Sequence, residues 1–145
     1  MSNKPPKPIK ILLIEDCASD VALISKVFGS ADVTYDLQIT EDGVQAIAYL
    51  HREGIYSNAF RPNLILLDLN LPKMDGLKVL AEIKSDPKFC SIPVIVLTAS
   101  NSQQDMLSCH KMDVNCYLTK PSNAKEFQQA VTIVKDFWLK CVTLP

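Results

Sequence analysis

Leu64-Ile65-Leu66-Leu67-Asp68-Leu69-Asn70 begins wholly apolar and then turns acidic. Four consecutive aliphatic residues with no polar face read as a short strand buried on both sides. Such strands belong to parallel sheets covered by helices. Two flanking runs have the same character: Ile9-Lys10-Ile11-Leu12-Leu13-Ile14 before it and Pro93-Val94-Ile95-Val96-Leu97 after it. Thr34 to Ile39 alternates Tyr35, Leu37 and Ile39 with polar residues, which predicts a strand with one wet face. Cys116 to Leu118 is a short fifth strand.

Helical patterns fill the intervals. Val21, Ile24, Val27 and Phe28 recur at helical spacing and stop at Gly29. Val44, Ile47, Ala48 and Leu50 follow from about Asp42. Leu77, Leu80, Ala81 and Lys84 lead to a stop near Pro87, and a more polar helix covers Ser102 to Met112. The last helix runs from about Asn123 to Lys140, with Phe127, Val131, Val134 and Trp138 in one row. Alternating strands and helices predict an α/β fold. The wholly apolar strands take the centre, and the amphipathic second and short fifth take the edges. This is a flavodoxin-like, doubly wound (βα)5 arrangement with a five-stranded parallel sheet in the order 2-1-3-4-5.

Bulk properties narrow the function. The 145 residues suit one domain, 48% are hydrophobic, and the net charge is −1. Nucleic-acid binding leaves a basic footprint, and none is visible, so no nucleic-acid partner is expected. No apolar run is long enough to span a membrane, and residues 1–8 lack the apolar stretch of a signal peptide. The expected location is cytoplasmic. Residues 1–8 read as a flexible N-terminal lead-in, and residues 9–145 as one domain with no output domain after it. Five cysteines at irregular spacing, with no CxxC, argue against a disulfide framework or a zinc site.

In such sheets the ligand lies beyond the carboxyl ends of the strands. Glu15-Asp16 follows the first strand, Asp68 the third, Thr98 the fourth and Lys120 the fifth. Alone, Asp16 or Asp68 reads as a helix cap, Thr98 as a strand-end residue and Lys120 as a surface lysine. Together, at four neighbouring strand ends, they read as a site. Three carboxylates repel one another unless a cation neutralises them, and an all-oxygen set suits Mg2+. A carboxylate can attack phosphorus and form an aspartyl phosphate. Lys120 and Thr98 would then meet the phosphoryl oxygens, and the small Ala99 leaves room for them.

ILLIED (Ile11 to Asp16), LILLDLNLPKMDG (Leu64 to Gly76), VIVLTAS (Val94 to Ser100) and CYLTKP (Cys116 to Pro121), in that order, resemble the receiver domain of two-component response regulators. The likeness spans about Ile9 to Leu139. It implies that Asp68 is the phosphoacceptor. Glu15 and Asp16 form the acidic pair, with Asp16 and Asp68 binding Mg2+ (or Mn2+) through side chains and Asn70 through its backbone carbonyl. Thr98 and Lys120 bind the phosphoryl group, Tyr117 is the aromatic switch residue, and the Lys120–Pro121 peptide is cis. Such a protein is no enzyme toward a separate substrate; it assists its own phosphorylation and dephosphorylation. The long segment His51 to Pro62, with Phe137-Trp138-Leu139 and Thr143-Leu144-Pro145, resembles the small stand-alone regulators paired with cyanobacterial phytochromes. That narrower likeness implies a sensor histidine kinase of the phytochrome class as donor.

The resemblance also implies a switch: Thr98 moves toward the phosphoryl group, Tyr117 turns into the vacated space, and the face built from the fourth helix, fifth strand and last helix changes shape. Ala130, Ile133 and Phe137 form a second apolar row on the last helix, which reads either as a homodimer face or as deep packing. Two other functions are weighed. A Mg2+-dependent aspartyl-phosphate hydrolase usually places a second, proton-transferring Asp two residues after its nucleophile, where this chain has Asn70, which cannot transfer a proton. In a receiver-shaped interaction module that is never phosphorylated, one or more of the acidic pair, the Asp, the Thr or the Lys is usually lost; all are present here.

Overall fold

The computed structural model describes residues 8–29 and 35–143, with side chains described as far as Trp138. The lead-in residues 1–7, Leu144 and Pro145 lie outside the described residues. The order of elements is β1 (Ile9–Ile14), α1 (Ala18–Gly29), β2 (Tyr35–Thr40), α2 (Gly43–Leu50), β3 (Leu64–Leu67), α3 (Gly76–Ser85), β4 (Val94–Thr98), α4 (Gln103–Lys111), β5 (Cys116–Thr119) and α5 (Ala124–Thr143). All strand pairs are parallel, and the sheet order is β2-β1-β3-β4-β5, as the sequence predicts.

The two-residue period of the strands sorts their side chains into two layers. Ile9, Ile11 and Leu13 join Leu64, Leu66, Ile95 and Leu97 beneath α1 and α5, where Ile24, Val27, Phe28, Phe127, Val131 and Val134 meet them. The alternate residues Leu12, Ile14, Ile65, Leu67, Val94 and Val96 face the helices α2 to α4. The central strands β3 and β4 are buried at every position. Each fully buried aliphatic side chain stabilises this arrangement by about 1.5–3 kcal/mol.

Some expectations shift. Ile39 is exposed, since β2 is an edge strand with a neighbour on one side only. In α2 the buried residues are Gly43, Ala46, Tyr49 and Leu50, while Val44 is 51% exposed. A Cβ on Gly43 would lie 2.5 Å from the Met74 carbonyl oxygen, so that contact turns the helix and sends Val44 outward. Ala81 of α3 is exposed, and Val79, Leu80 and Ile83 form the inner face instead. The long segment before β3 folds into a 3-10 turn at Gly54–Tyr56, with the Tyr56 ring edge-on to Tyr49. The described residues contain no cis peptide bond. The Lys120–Pro121 bond, expected to be cis, is therefore trans, the isomer that an X–Pro bond favours by about 0.5–1 kcal/mol. Among the described residues, no helix is long and apolar enough to cross a membrane.

Candidate phosphoacceptor site

Register brings the acidic residues together. Ile14 pairs with Leu67, and the Asp68 backbone N–H donates to the Ile14 carbonyl at 3.0 Å. Glu15 and Asp68 therefore leave adjacent strands side by side. One carboxylate oxygen each from Glu15, Asp16 and Asp68 lie within 4.8 Å of one another. Glu15 is only 1% exposed and Asp68 is buried, whereas Asp16 is exposed, so the cluster opens toward solvent at Asp16. Loop packing fixes the Asp68 end. The Gly76 N–H donates to the Leu69 carbonyl at 3.0 Å, and a Cβ on Gly76 would lie 2.4 Å from the Leu69 Cα. Only glycine permits α3 to start this close to the acidic loop.

Lys120 enters from β5. Its backbone N–H donates to the Thr98 carbonyl at 2.7 Å, which ties the lysine to the end of β4. Its ammonium contacts three carboxylates: Glu15 in a short contact, Asp20 Oδ2 at 2.8 Å and Asp68 Oδ2 at 3.3 Å. The side chain is only 9% exposed. Burial alone would lower its pKa, but Asp20 and Glu15 more than offset this and hold the ammonium above its ordinary value. Burial, and then the neighbouring Asp68, push Glu15 up to about 9 against the pull of Lys120. Burial acts to raise Asp20 too, yet its hydrogen bond from Lys120 leaves it below the usual carboxylate range.

The other Asp68 oxygen, Oδ1, accepts the Asn70 backbone N–H at 3.2 Å, and the Asn70 side chain is exposed. Thr98 is fully buried, and its Oγ1 accepts the Ser100 N–H at 3.2 Å. The Tyr117 hydroxyl donates to the Ser100 carbonyl at 2.9 Å, and its half-buried ring packs on the core below α2 to α4. Ser100 Oγ in turn donates to Asp105 Oδ2, in the first turn of α4, at 2.7 Å. Thr98 and Tyr117 are thus linked through one intermediate residue.

Asp20, Ser100 and Asp105 escaped the sequence reading. Asp20 offered one faint signal: it lies four residues after Asp16, one helical turn on. A lone acid in the first turn of a helix ordinarily just complements the helix dipole. Glu15 Oε2 is buried and has no hydrogen-bond partner among the described residues. An orphaned buried carboxylate oxygen beside two further carboxylates fits a hard cation with oxygen ligands.

Known proteins resemble this chain along nearly its whole length. A profile of the response regulator receiver domain family matches residues 11–132. The response regulator Rcp1 of Synechocystis sp. is 47% identical over 145 residues, 100% of this chain and 99% of that protein. The crystal structure of the Mn2+-bound form of Rcp1 superposes with a TM-score of 0.92 at 48% identity, covering 95% of this chain and 99% of that one. The phosphorylated cyanobacterial phytochrome response regulator RcpA gives a TM-score of 0.91 at 47% identity, covering 96% and 99%. The chain belongs to the response regulator receiver domain family.

Proposed function

We propose that this receiver takes a phosphoryl group from the phosphohistidine of a sensor histidine kinase onto Asp68. The observation that carries the reading is the convergence of Glu15, Asp16, Asp68 and Lys120 at one rim of the sheet. In the transfer, an Asp68 carboxylate oxygen attacks phosphorus. The P–N bond breaks, its electron pair stays on the imidazole nitrogen, and an aspartyl phosphate forms. Lys120 balances charge on the phosphoryl oxygens, and Thr98 offers them its hydroxyl. Asp16 and Asp68 would hold Mg2+ or Mn2+ with their side chains, Glu15 would complete the acidic set, and Asn70 would offer its carbonyl. When bound, such a cation neutralises the carboxylates and the charge developing on the transferred group. The Mn2+-bound form of Rcp1 and the phosphorylated form of RcpA support both parts of this reading.

The kinase we favour is a phytochrome, on the likeness to RcpA, a phytochrome response regulator. Output follows from the Thr98–Ser100–Tyr117 link. A phosphoryl group that draws Thr98 disturbs Ser100, and through it both the Tyr117 hydroxyl and Asp105 of α4. The partner on the output side includes a second copy of this chain. Ile133 and Phe137 on α5 are 69% and 59% exposed, so the second apolar row is not deep packing.

A histidine kinase of the phytochrome class, autophosphorylated with labelled ATP, tests the donor. Label should move to the wild-type protein and not to Asp68→Asn. Transfer to Asp68→Asn as fast as to wild type would refute the assignment.

A further inference from the structure

We infer that Asp20 is a positioning residue of this site: it anchors the Lys120 ammonium on the α1 side and keeps it from closing onto Asp68. This rests on the phosphoacceptor reading of Asp68.

The ammonium has three hydrogens, and three carboxylates accept them. Two of these bonds, to Glu15 and to Asp20 at 2.8 Å, are shorter than the one to Asp68 at 3.3 Å. Asp20 lies outside the Glu15–Asp16–Asp68 group. It also lies within 4.8 Å of ligand atoms of Glu15 and Cys17, and the charge its carboxylate bonds directly is the Lys120 ammonium. It projects from the first turn of α1, which fixes its direction, and its side chain is 23% exposed.

Its position has a chemical consequence. A lysine bonded tightly to the nucleophilic oxygen ties up the lone pair that must attack phosphorus. A lysine left loose loses the geometry needed to meet the incoming oxygens. Asp20 offsets the attraction of Asp68 for the ammonium and holds the charge close to the nucleophile without a tight bond to it. Glu15 leaves β1 beside Asp68, whereas Asp20 meets the ammonium from the first turn of α1.

Phosphorylation by a small acyl phosphate, with saturating Mg2+ so that altered cation affinity no longer counts, tests the role. Asp20→Asn keeps the size and removes the charge. Its maximal rate should fall about tenfold, while the donor concentration for half-maximal rate stays unchanged. Asp20→Ser should fall in the same direction, and Asp20→Glu should recover to within about threefold of wild type. Thermal unfolding confirms that each variant folds. An Asp20→Asn rate equal to wild type overturns the inference, as does a loss in Asp20→Glu as deep as in Asp20→Asn. The phosphoacceptor reading fails separately: it is overturned if wild type itself takes up no phosphoryl group, or if Asp68→Asn takes it up normally.

Discussion

Glu15 is the carboxyl displaced furthest from its ordinary pKa among the described residues. It is buried, lies against Asp68, and has one oxygen with no partner among the described residues. Burial and Asp68 raise it from 4.5 to about 9. A carboxyl whose folded pKa is raised binds more protons folded than unfolded across that window. Its contribution to stability is therefore complete below 4.5 and is lost as pH rises toward 9. Asp20, with its lowered pKa, contributes a constant amount across the same range. In chelator, thermal stability should accordingly fall as pH rises through this window, and Glu15→Gln should flatten the slope. Added Mg2+ should stabilise more at the upper end, where the ligands are already deprotonated. Scanning calorimetry of both proteins across the window checks this. At this scale the sequence revealed the residues that end strands, because strand ends follow from hydrophobic runs. It hid Asp20 and Ser100, whose roles depend on where a helix turn and a loop place them.

Among the elements, the start of α3 controls the site most directly. Gly76 lies against the Asp68 and Leu69 backbone with no room for a methyl group: an added Cβ would be 2.5 Å from the Asp68 carbonyl oxygen. Backbone cannot swing aside as a flexible side chain can. Gly76→Ala should thus cost about 1–3 kcal/mol of stability, read as a lower midpoint in urea unfolding with an unchanged slope. A midpoint equal to wild type would show that the loop yields freely. Strands and their order were legible because wholly apolar runs can occupy only central positions. Helix faces were less so. The reading placed Val44 inward, since it fits the helical period, yet the burial of Gly43 against Met74 rotates α2 and leaves Ala46, Tyr49 and Leu50 inside. A glycine carries no hydrophobic signal, so its close approach does not show in the pattern.

At the scale of the whole molecule, two surfaces matter: the acidic rim and α5. Spacing on α5 left deep packing and a dimer face equally open. The exposure of Ile133 and Phe137 removes the first. If α5 is the dimer face, wild type should sediment as a dimer and Ile133→Asp combined with Phe137→Asp as a monomer that keeps the native circular dichroism spectrum, because neither side chain is in the core. A wild-type protein that is monomeric with and without phosphoryl donor would remove the dimer. The acidic rim comes first, since each step proposed for this chain needs oxygens from separate strands to act as one centre. Intact-mass spectrometry after incubation with a small acyl phosphate tests it most directly. Wild type with Mg2+ should gain the mass of one phosphoryl group, and the gain should vanish with chelator and in Asp68→Asn. Wild type that gains nothing, or a gain that persists without cation or without Asp68, would contradict it.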